Sequence, residues 1–342
     1  MKKYMNNSDF LMFKGIAQLT EQELLSMMST FLKKMYGEDK VQATNSYILA
    51  EGKIPVLLAA HMDTVFSTPP KEIYHDSHKD VLWSPQGLGA DDRAGIFIII
   101  KMIQEGLRPH IALTTGEERG GIGAGMLVTV HPSAPFDIKY AIQLDRQGIC
   151  DSVYYDCDNK KFEKYINSFG YVTAFGSFSD ISIICPNWGI AGVNLSVGYV
   201  REHTVSETLF LKGLYATAEK VRTMLKKAHS AEHYKYIPAS YLSQYNWDIF
   251  GGPEDSYSFD NNFRDIHKAN TCWKCKKTYA PNDLLEVMSK ENPLYDHMYC
   301  YNCISDDSIN WCRSCGDPFE KSAKSGEDVC PLCKEYRYYG GF

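Results

Sequence analysis

An α/β sandwich followed by a small metal-stabilised domain is the architecture predicted by this 342-residue sequence. Three observations predict it. Apolar runs of strand length alternate with helix-length amphipathic segments as far as residue 227. Two of those runs end in side chains of the metal-ligand type. Eight of the eleven cysteines crowd between Cys272 and Cys333, all in C-x-x-C pairs. The chain therefore divides into a catalytic-type domain at 1–227, a linker at 228–270 and a cysteine-rich domain at 271–342.

Thr20 followed by Glu23 forms a capping box and opens a helix expected to run to about Tyr36, with Leu24, Leu25, Met28, Phe31 and Leu32 as its apolar face. Ser46 to Ala50 and Ile54 to Ala60 read as strands, separated by the turn residues Glu51-Gly52-Lys53. The Ile-rich segment from Arg93 to Ile103 would also suit a strand. A strand there leaves no crossover between its neighbours, so a buried helix is expected. His110 to Thr115, Tyr140 to Leu144 and Gly192 to Ser196 supply further strands, and Glu207 to Lys227 reads as a long amphipathic helix. Beyond it the periodicity fades into Tyr, Ser, Asn and Asp with Pro238 and Gly251-Gly252-Pro253, the composition of a linker packed through its aromatics.

The net charge of −6, from 36 basic and 42 acidic residues, argues against a surface built for nucleic acid or an anionic membrane. The first thirty residues hold no apolar stretch of signal-peptide length. Ala94 to Ile100, the most apolar segment, stops at Lys101 and is too short to span a bilayer. These features point to a reducing compartment, the cytoplasm, where C-x-x-C pairs serve zinc better than disulfides.

His61, Asp63, Asp91, Glu117, Glu118, Asp145 and His203 appear in that order and together form the ligand and base set that a two-zinc hydrolase needs. His61 and Asp63 follow the run Ile54-Pro55-Val56-Leu57-Leu58-Ala59-Ala60, and Asp145 follows Tyr140-Ala141-Ile142-Gln143-Leu144. Ligand sites in open α/β sheets gather at the carboxyl ends of strands, so both strands are expected to feed one crevice. Asp91 suits a bridging role because Gly87-Leu88-Gly89-Ala90 permits an irregular turn before it. In an extended segment the adjacent Glu117 and Glu118 would diverge, one toward metal and one toward substrate. Seven further histidines fit no motif and read as ordinary surface or core residues.

The strings His61-Met62-Asp63-Thr64-Val65, Gly89-Ala90-Asp91-Asp92-Arg93-Ala94-Gly95, Thr114-Thr115-Gly116-Glu117-Glu118, Leu144-Asp145 and Glu202-His203-Thr204 resemble those of the co-catalytic zinc exopeptidases, the clan of leucyl aminopeptidase, peptidase T and aminoacylase. The resemblance covers roughly residues 20 to 227. It implies an αβα sandwich with a mixed central sheet, and two catalytic zincs that cobalt or manganese could replace. It further implies that His61 and Asp145 hold one ion, that Glu118 and His203 hold the other, and that Asp91 bridges them. Glu117 would be the general base and Asp63 would orient His61. The Asp91-Asp92 peptide would be cis. Only 58 positions separate Asp145 from His203, too few for the lid domain of the peptidase T and aminoacylase branch. The lidless aminopeptidases are thus the nearer analogue, and peptides the expected substrate. Tyr199 and Arg201 are candidate substrate contacts. Gly176-Ser177-Phe178-Ser179-Asp180 resembles a small-residue loop near the clan's site. The alternatives are a deacylase of N-acyl amino acids or small molecules, and an inactive scaffold.

Cys272/Cys275, Cys300/Cys303, Cys312/Cys315 and Cys330/Cys333 suffice for two structural zincs with four thiolates each. Sequential pairing would give two ribbons and alternate pairing a cross-brace. From residue 271 to 342 there are 9 basic and 11 acidic residues, a net of −2 that disfavours nucleic acid and leaves docking of a protein partner as the expected role.

Overall fold

In the computed structural model the described residues are 4–239, 272, 274–277, 284–288, 296–304, 309–312, 318–321 and 330. The chain separates into two compact units, Met1–Ile249 and Phe250–Phe342.

The first unit opens with α1 (Asn7–Ala17), whose first turn is capped by the Asn6 side chain accepting from the Asp9 amide, and α2 (Glu21–Tyr36), which begins at the expected Thr20/Glu23 capping box. Leu24, Met28 and Leu32 of α2 are buried, whereas Leu25 and Phe31 lie half-buried at its edge. Then follow β1 (Val41–Ala43), β2 (Tyr47–Ala50), β3 (Ile54–His61), β4 (Tyr74–Asp76), β5 (Val81–Trp83), α3 (Ala90–Gln104), β6 (Pro109–Thr114), α4 (Ile122–Val130) and β7 (Tyr140–Arg146). The remainder is β8 (Asp151–Val153), α5 (Lys160–Asn167), β9 (Val172–Thr173), α6 (Ile181–Trp188), β10 (Gly192–Ser196), β11 (Tyr199–Val200), β12 (Thr208–Phe210) and α7 (Leu211–Lys227).

Eight strands form one mixed sheet in the order β1-β2-β6-β3-β7-β10-β8-β9. Its centre, β6-β3-β7-β10, is parallel, which requires crossovers between successive strands. The strands around Glu51-Gly52-Lys53 do not pair with each other, because β6 lies between β2 and β3. Alternation along each strand sorts the core into two layers. Ile48, Val56, Leu58, Ile111, Leu113, Ile142 and Val193 pack with α1, α2, α3 and α7. Tyr47, Leu49, Leu57, Ala59, Ala112 and Ala141 pack with α4 and α6 on the other side. The result is the expected αβα sandwich. Asp9 fastens the first layer, accepting from Lys101 at 3.0 Å and from the Tyr215 hydroxyl at 2.7 Å, so that α1, α3 and α7 meet at one carboxylate.

One expected boundary is corrected. The segment from Glu207 begins with β12, and α7 starts only at Leu211. Thr208 to Phe210 pair with β5 inside a second sheet, β11-β12-β5-β4, so local strand pairing overrides the helical periodicity read there. Residues 228–239 carry a 3₁₀ turn at Ala228–Ser230. Tyr234 is buried against Tyr140 and Phe162, and isolated bridges join Lys235 to Ile190 and Pro238 to Cys157. Residues 240–270 lie outside the described residues. No helix among the described residues is long and apolar enough to cross a membrane.

In the second unit β13 (Leu284–Met288), β14 (Asp296–Cys300), β15 (Ile309–Trp311) and β16 (Pro318–Glu320) form a sheet ordered β14-β13-β16-β15, with the short helix α8 (Tyr301–Ile304) following β14. Val287, Tyr299 and Ile309 make a small core beneath it.

Ile142 sits fully buried in the middle of the central sheet. Ile142→Ala is expected to lower the stability of the first unit by about 2–5 kcal/mol, read as a lower denaturant midpoint with an unchanged slope.

Candidate active site

Three parallel strands deliver the central residues. β3 ends at His61, with Asp63 two residues on, and β7 carries Asp145 near its end. β6 ends at Thr114, just before Gly116-Glu117-Glu118. Glu117 and Glu118 occupy a turn rather than the extended segment expected, closed by the Gly120 and Gly121 amides donating to the Glu117 carbonyl, each at 2.9 Å. His203 arrives on the loop of the β11–β12 hairpin, its backbone in the left-handed region at φ 64°.

Asp91 stands between the two imidazoles. Its Oδ1 is 3.0 Å from His61 Nε2, and its Oδ2 is 3.2 Å from His203 Nε2. Asp145 Oδ1 lies 3.4 Å from the same His61 nitrogen, and Glu118 Oε2 lies 3.1 Å from the same His203 nitrogen. Asp63 Oδ1 faces His61 Nδ1 at 3.4 Å, while the two Asp63 oxygens accept from the Glu117 and Glu118 amides at 3.1 and 3.2 Å. His61, Asp63, Asp91, Glu118, Asp145 and His203 are thus brought together, with Glu117 buried beside them.

The support of this cluster is dense. The Asp91-Asp92 peptide is cis, as the resemblance implies. Asp92 Oδ2 accepts from the His61 amide at 3.2 Å and its Oδ1 from the Gly95 amide at 3.0 Å. Gly95 has to be glycine, because a Cβ there would lie 2.4 Å from both the Leu144 carbonyl and Asp92 Oδ1. Ser179 donates to Asp145 Oδ2 at 3.0 Å, and Asn194 brackets the Asp145 backbone at 2.7 and 2.9 Å. Tyr199, a candidate substrate contact on the sequence, is only 2% exposed and donates its hydroxyl to Asp145 Oδ1 at 3.1 Å. Arg201 is exposed on the His203 loop with φ 58°.

Sequence reasoning missed Glu207, whose buried carboxylate accepts from the Ala90 and Asp91 amides at 3.1 and 3.0 Å. The only sequence signal was its place four residues after His203, masked by the helix reading. Asn194 was visible as a polar residue inside the apolar run Gly192-Val193-Asn194-Leu195. Asp180, fully buried with its carboxylate on the Thr114 hydroxyl, lay in the loop noted on the sequence but was given no role.

The electrostatics call for cations. Burial first, then the Asp91 carboxylate, pushes Asp145 up to about 7. Burial likewise raises Glu117 to about 8, opposed by His61 and reinforced by Asp145, Asp180 and Asp91. Hydrogen bonds to Asp91 and Glu118 lift His203 to about 11. Against its burial, His61 is raised by Asp145, Asp63 and Asp91. Two imidazoles and the buried Arg93 guanidinium beside Asp63 and Asp92 are too few for so many carboxylates, and Glu118 Oε1 has no hydrogen-bond partner. His61, Asp91 and Glu118 form one metal-capable group, and His61, Asp92 and Asp145 another; Glu117 belongs to neither. The donor set therefore fits divalent cations.

A cavity of about 610 Å³ opens on the Asp63 and Glu118 side, lined also by Leu19, Val65, Phe66 and Arg93, and is large enough for a short peptide segment.

In the second unit Cys272, Cys275, Cys300 and Cys303 converge on one point. Cys275 and Cys300 sulfurs are 3.9 Å apart, close to the about 3.8 Å separating thiolates on a tetrahedral ion with metal–sulfur bonds of about 2.3 Å. This grouping is the sequential one and excludes the cross-brace for that site. The Cys330 amide donates to Cys312 Sγ at 3.2 Å, while Cys315 and Cys333 lie outside the described residues.

No protein-family model and no curated protein matches the chain. Among solved structures it is similar to a tripeptidase from Staphylococcus aureus, with 16% identity, a TM-score of 0.52, and 67% of this chain and 100% of that one covered. It is also similar to aminopeptidase PepT from Bacillus cereus, with 16% identity, a TM-score of 0.49 and coverage of 66% and 100%. An aminopeptidase from the archaeon Desulfurococcus kamchatkensis gives 16%, 0.48, and coverage of 65% and 95%. The likeness to the tripeptidase establishes that the two share a fold.

A pH dependence follows from the raised groups. Asp145 and Glu117 lose stabilising protons as pH rises from about 4 through about 7 and about 8, and the raised histidines act in the same direction at higher pH. Chelator-treated protein should therefore show a thermal midpoint that falls as pH rises over this range. Added zinc should raise the midpoint most at the alkaline end, as differential scanning fluorimetry would show.

Proposed function

We propose that the protein is a two-metal hydrolase of amide bonds, an aminopeptidase acting on short peptides. The Asp91 carboxylate, with one oxygen facing His61 and the other facing His203, is the observation that carries this reading. On it, His61 and Asp145 would hold one zinc, Glu118 and His203 would hold the second, and Asp91 would be shared between them. The tripeptidase that shares the fold recommends small peptides as the first substrates to try.

Divalent cations bound there supply Lewis acidity, which makes water a nucleophile near neutral pH and polarises the scissile carbonyl. Asp63 Oδ1, 3.4 Å from His61 Nδ1, would favour the ring tautomer whose Nε2 lone pair is left for a metal. The same carboxylate holds the Glu117-Glu118 turn, so one side chain aims a ligand and the base together. Glu117 takes the proton of the attacking water and returns it to the leaving amine. Tyr199 and Ser179 act as positioning residues, each donating to Asp145. The cysteine sites of the second unit are read as structural zincs in a module that docks a protein partner.

Glu117→Gln is expected to lower kcat on aminoacyl amides by about 100-fold or more while metal content by elemental analysis stays at the wild-type value. Wild-type turnover in that variant removes Glu117 from its role. Cys275→Ser should reduce bound zinc by one ion per chain without altering cleavage of a small amide; lost cleavage in a folded first unit would show that the two units do not act separately.

A further inference from the structure

We propose that Glu21, at the start of α2, is a positioning residue for hydrolysis: it holds the Glu117-Glu118 turn at both ends and so keeps the base aligned with the centre. The inference rests on the amide-hydrolase reading above and adds to it a residue that belongs to neither metal-capable group. Glu21 Oε1 accepts from the Gly116 amide at 3.0 Å. Arg119 Nη2 reaches the same carboxylate, 3.2 Å from Oε1 and 3.1 Å from Oε2. Gly116 and Arg119 directly flank the two glutamates. Gly116 has φ 65°, and a Cβ on it would lie 3.2 Å from Arg119 Nη2, so the bare glycine lets the arginine fold back across the turn to Glu21. Asp63 takes the next two amides, those of Glu117 and Glu118. Three successive amides thus end on two carboxylates from different elements, and loss of either frees part of the turn.

Glu21 is itself held from behind. The capping box fixes the first turn of α2, with Glu23 Oε2 accepting from the Thr20 amide at 2.9 Å. The Leu19 carbonyl accepts from Arg93 Nη2 at 3.2 Å, and Gln18 Nε2 donates to the Lys71 carbonyl at 2.7 Å. Arg93 lies two residues after Asp91, so the α1–α2 junction is tied both to the turn that carries Asp91 and, through Glu21, to the turn that carries Glu117. Stability alone is a poor reason for the Glu21–Arg119 pair. The arginine side chain is 61% exposed, and an ion pair so open to water adds little. Orientation is the better reason, because a general base must lie within about 3 Å of the proton it takes and small misplacements slow the reaction steeply. Glu21 and Arg119 also line the cavity beside the centre, together with Thr20, Arg93 and Glu118.

The test uses the full-length, zinc-saturated chain on aminoacyl amides. Glu21→Ala is expected to lower kcat by about 10-fold or more, with KM and zinc content near their wild-type values. Glu21→Gln keeps an oxygen for the Gly116 amide and should recover most of that loss. Arg119→Ala, which frees one end of the turn only, should fall between Glu21→Ala and the wild type. In the metal-free chain, amide hydrogen exchange followed by mass spectrometry should quicken at residues 116–119 in Glu21→Ala. Wild-type kcat in Glu21→Ala, unchanged exchange at 116–119, or a loss of kcat that tracks lost zinc or that Glu21→Gln leaves unrecovered overturns the positioning role while amide hydrolysis stands. Absence of wild-type turnover on every amide overturns the hydrolase reading and this inference with it.

Discussion

A single carboxylate that must face imidazoles from two distant parts of the chain is the constraint around which the first unit is organised. Asp91 can meet His61 and His203 only if the turn before α3 is held rigidly, and three independent devices hold it. Glu207 grips the amides of Ala90 and Asp91, and Asp92 grips the amide of His61. Gly95 lets the helix come so close to the end of β7 that no side chain fits between them. Each device joins a different pair of elements, so the position of Asp91 is fixed by the whole sheet rather than by its own loop.

The surrounding charge has a physical logic. Burying Asp91, Asp92, Asp180 and Glu117 beside the partly buried Asp145 and Glu118 is unfavourable unless positive charge compensates them, and two histidines with the buried Arg93 cannot do so fully. The protein accepts this cost at the carboxyl ends of β3, β6 and β7, where strand geometry delivers several side chains to one crevice. The acidic crowd is thus a grouping of side chains able to hold cations. The second unit follows a different route. Among the described residues its core of Val287, Tyr299 and Ile309 is small, and a metal held by the converging thiols of Cys272, Cys275, Cys300 and Cys303 would supply cohesion that this apolar burial does not.

Most of the frame was legible in the sequence because its signals are local. The capping box at Thr20, the apolar runs of β3, β6, β7 and β10 and the need for a crossover at α3 all declare themselves within a dozen residues. The central residues were legible as well, since each follows a strand end or a glycine turn. What escaped depends on pairing at a distance. The β12 strand forms only because β5 is there to receive it, and Glu207 gains its partners from residues more than a hundred positions earlier. Tyr199 reads on the sequence as a candidate substrate contact near His203, yet its ring is buried and its hydroxyl is committed to Asp145. Periodicity carries no information about such long-range partners.

The grip of Glu207 on the amides of Ala90 and Asp91 also orders events in time. During synthesis the Asp91 turn emerges long before its anchor and before His203, so a nascent chain exposes carboxylates without the scaffold that aligns them. The cluster is complete only once the β11–β12 hairpin has been made and has brought His203 to Asp91 and Glu118. Fragments cut short of that hairpin would lack both His203 and the Glu207 anchor, so the full cluster of carboxylates and imidazoles forms only in a chain folded past it.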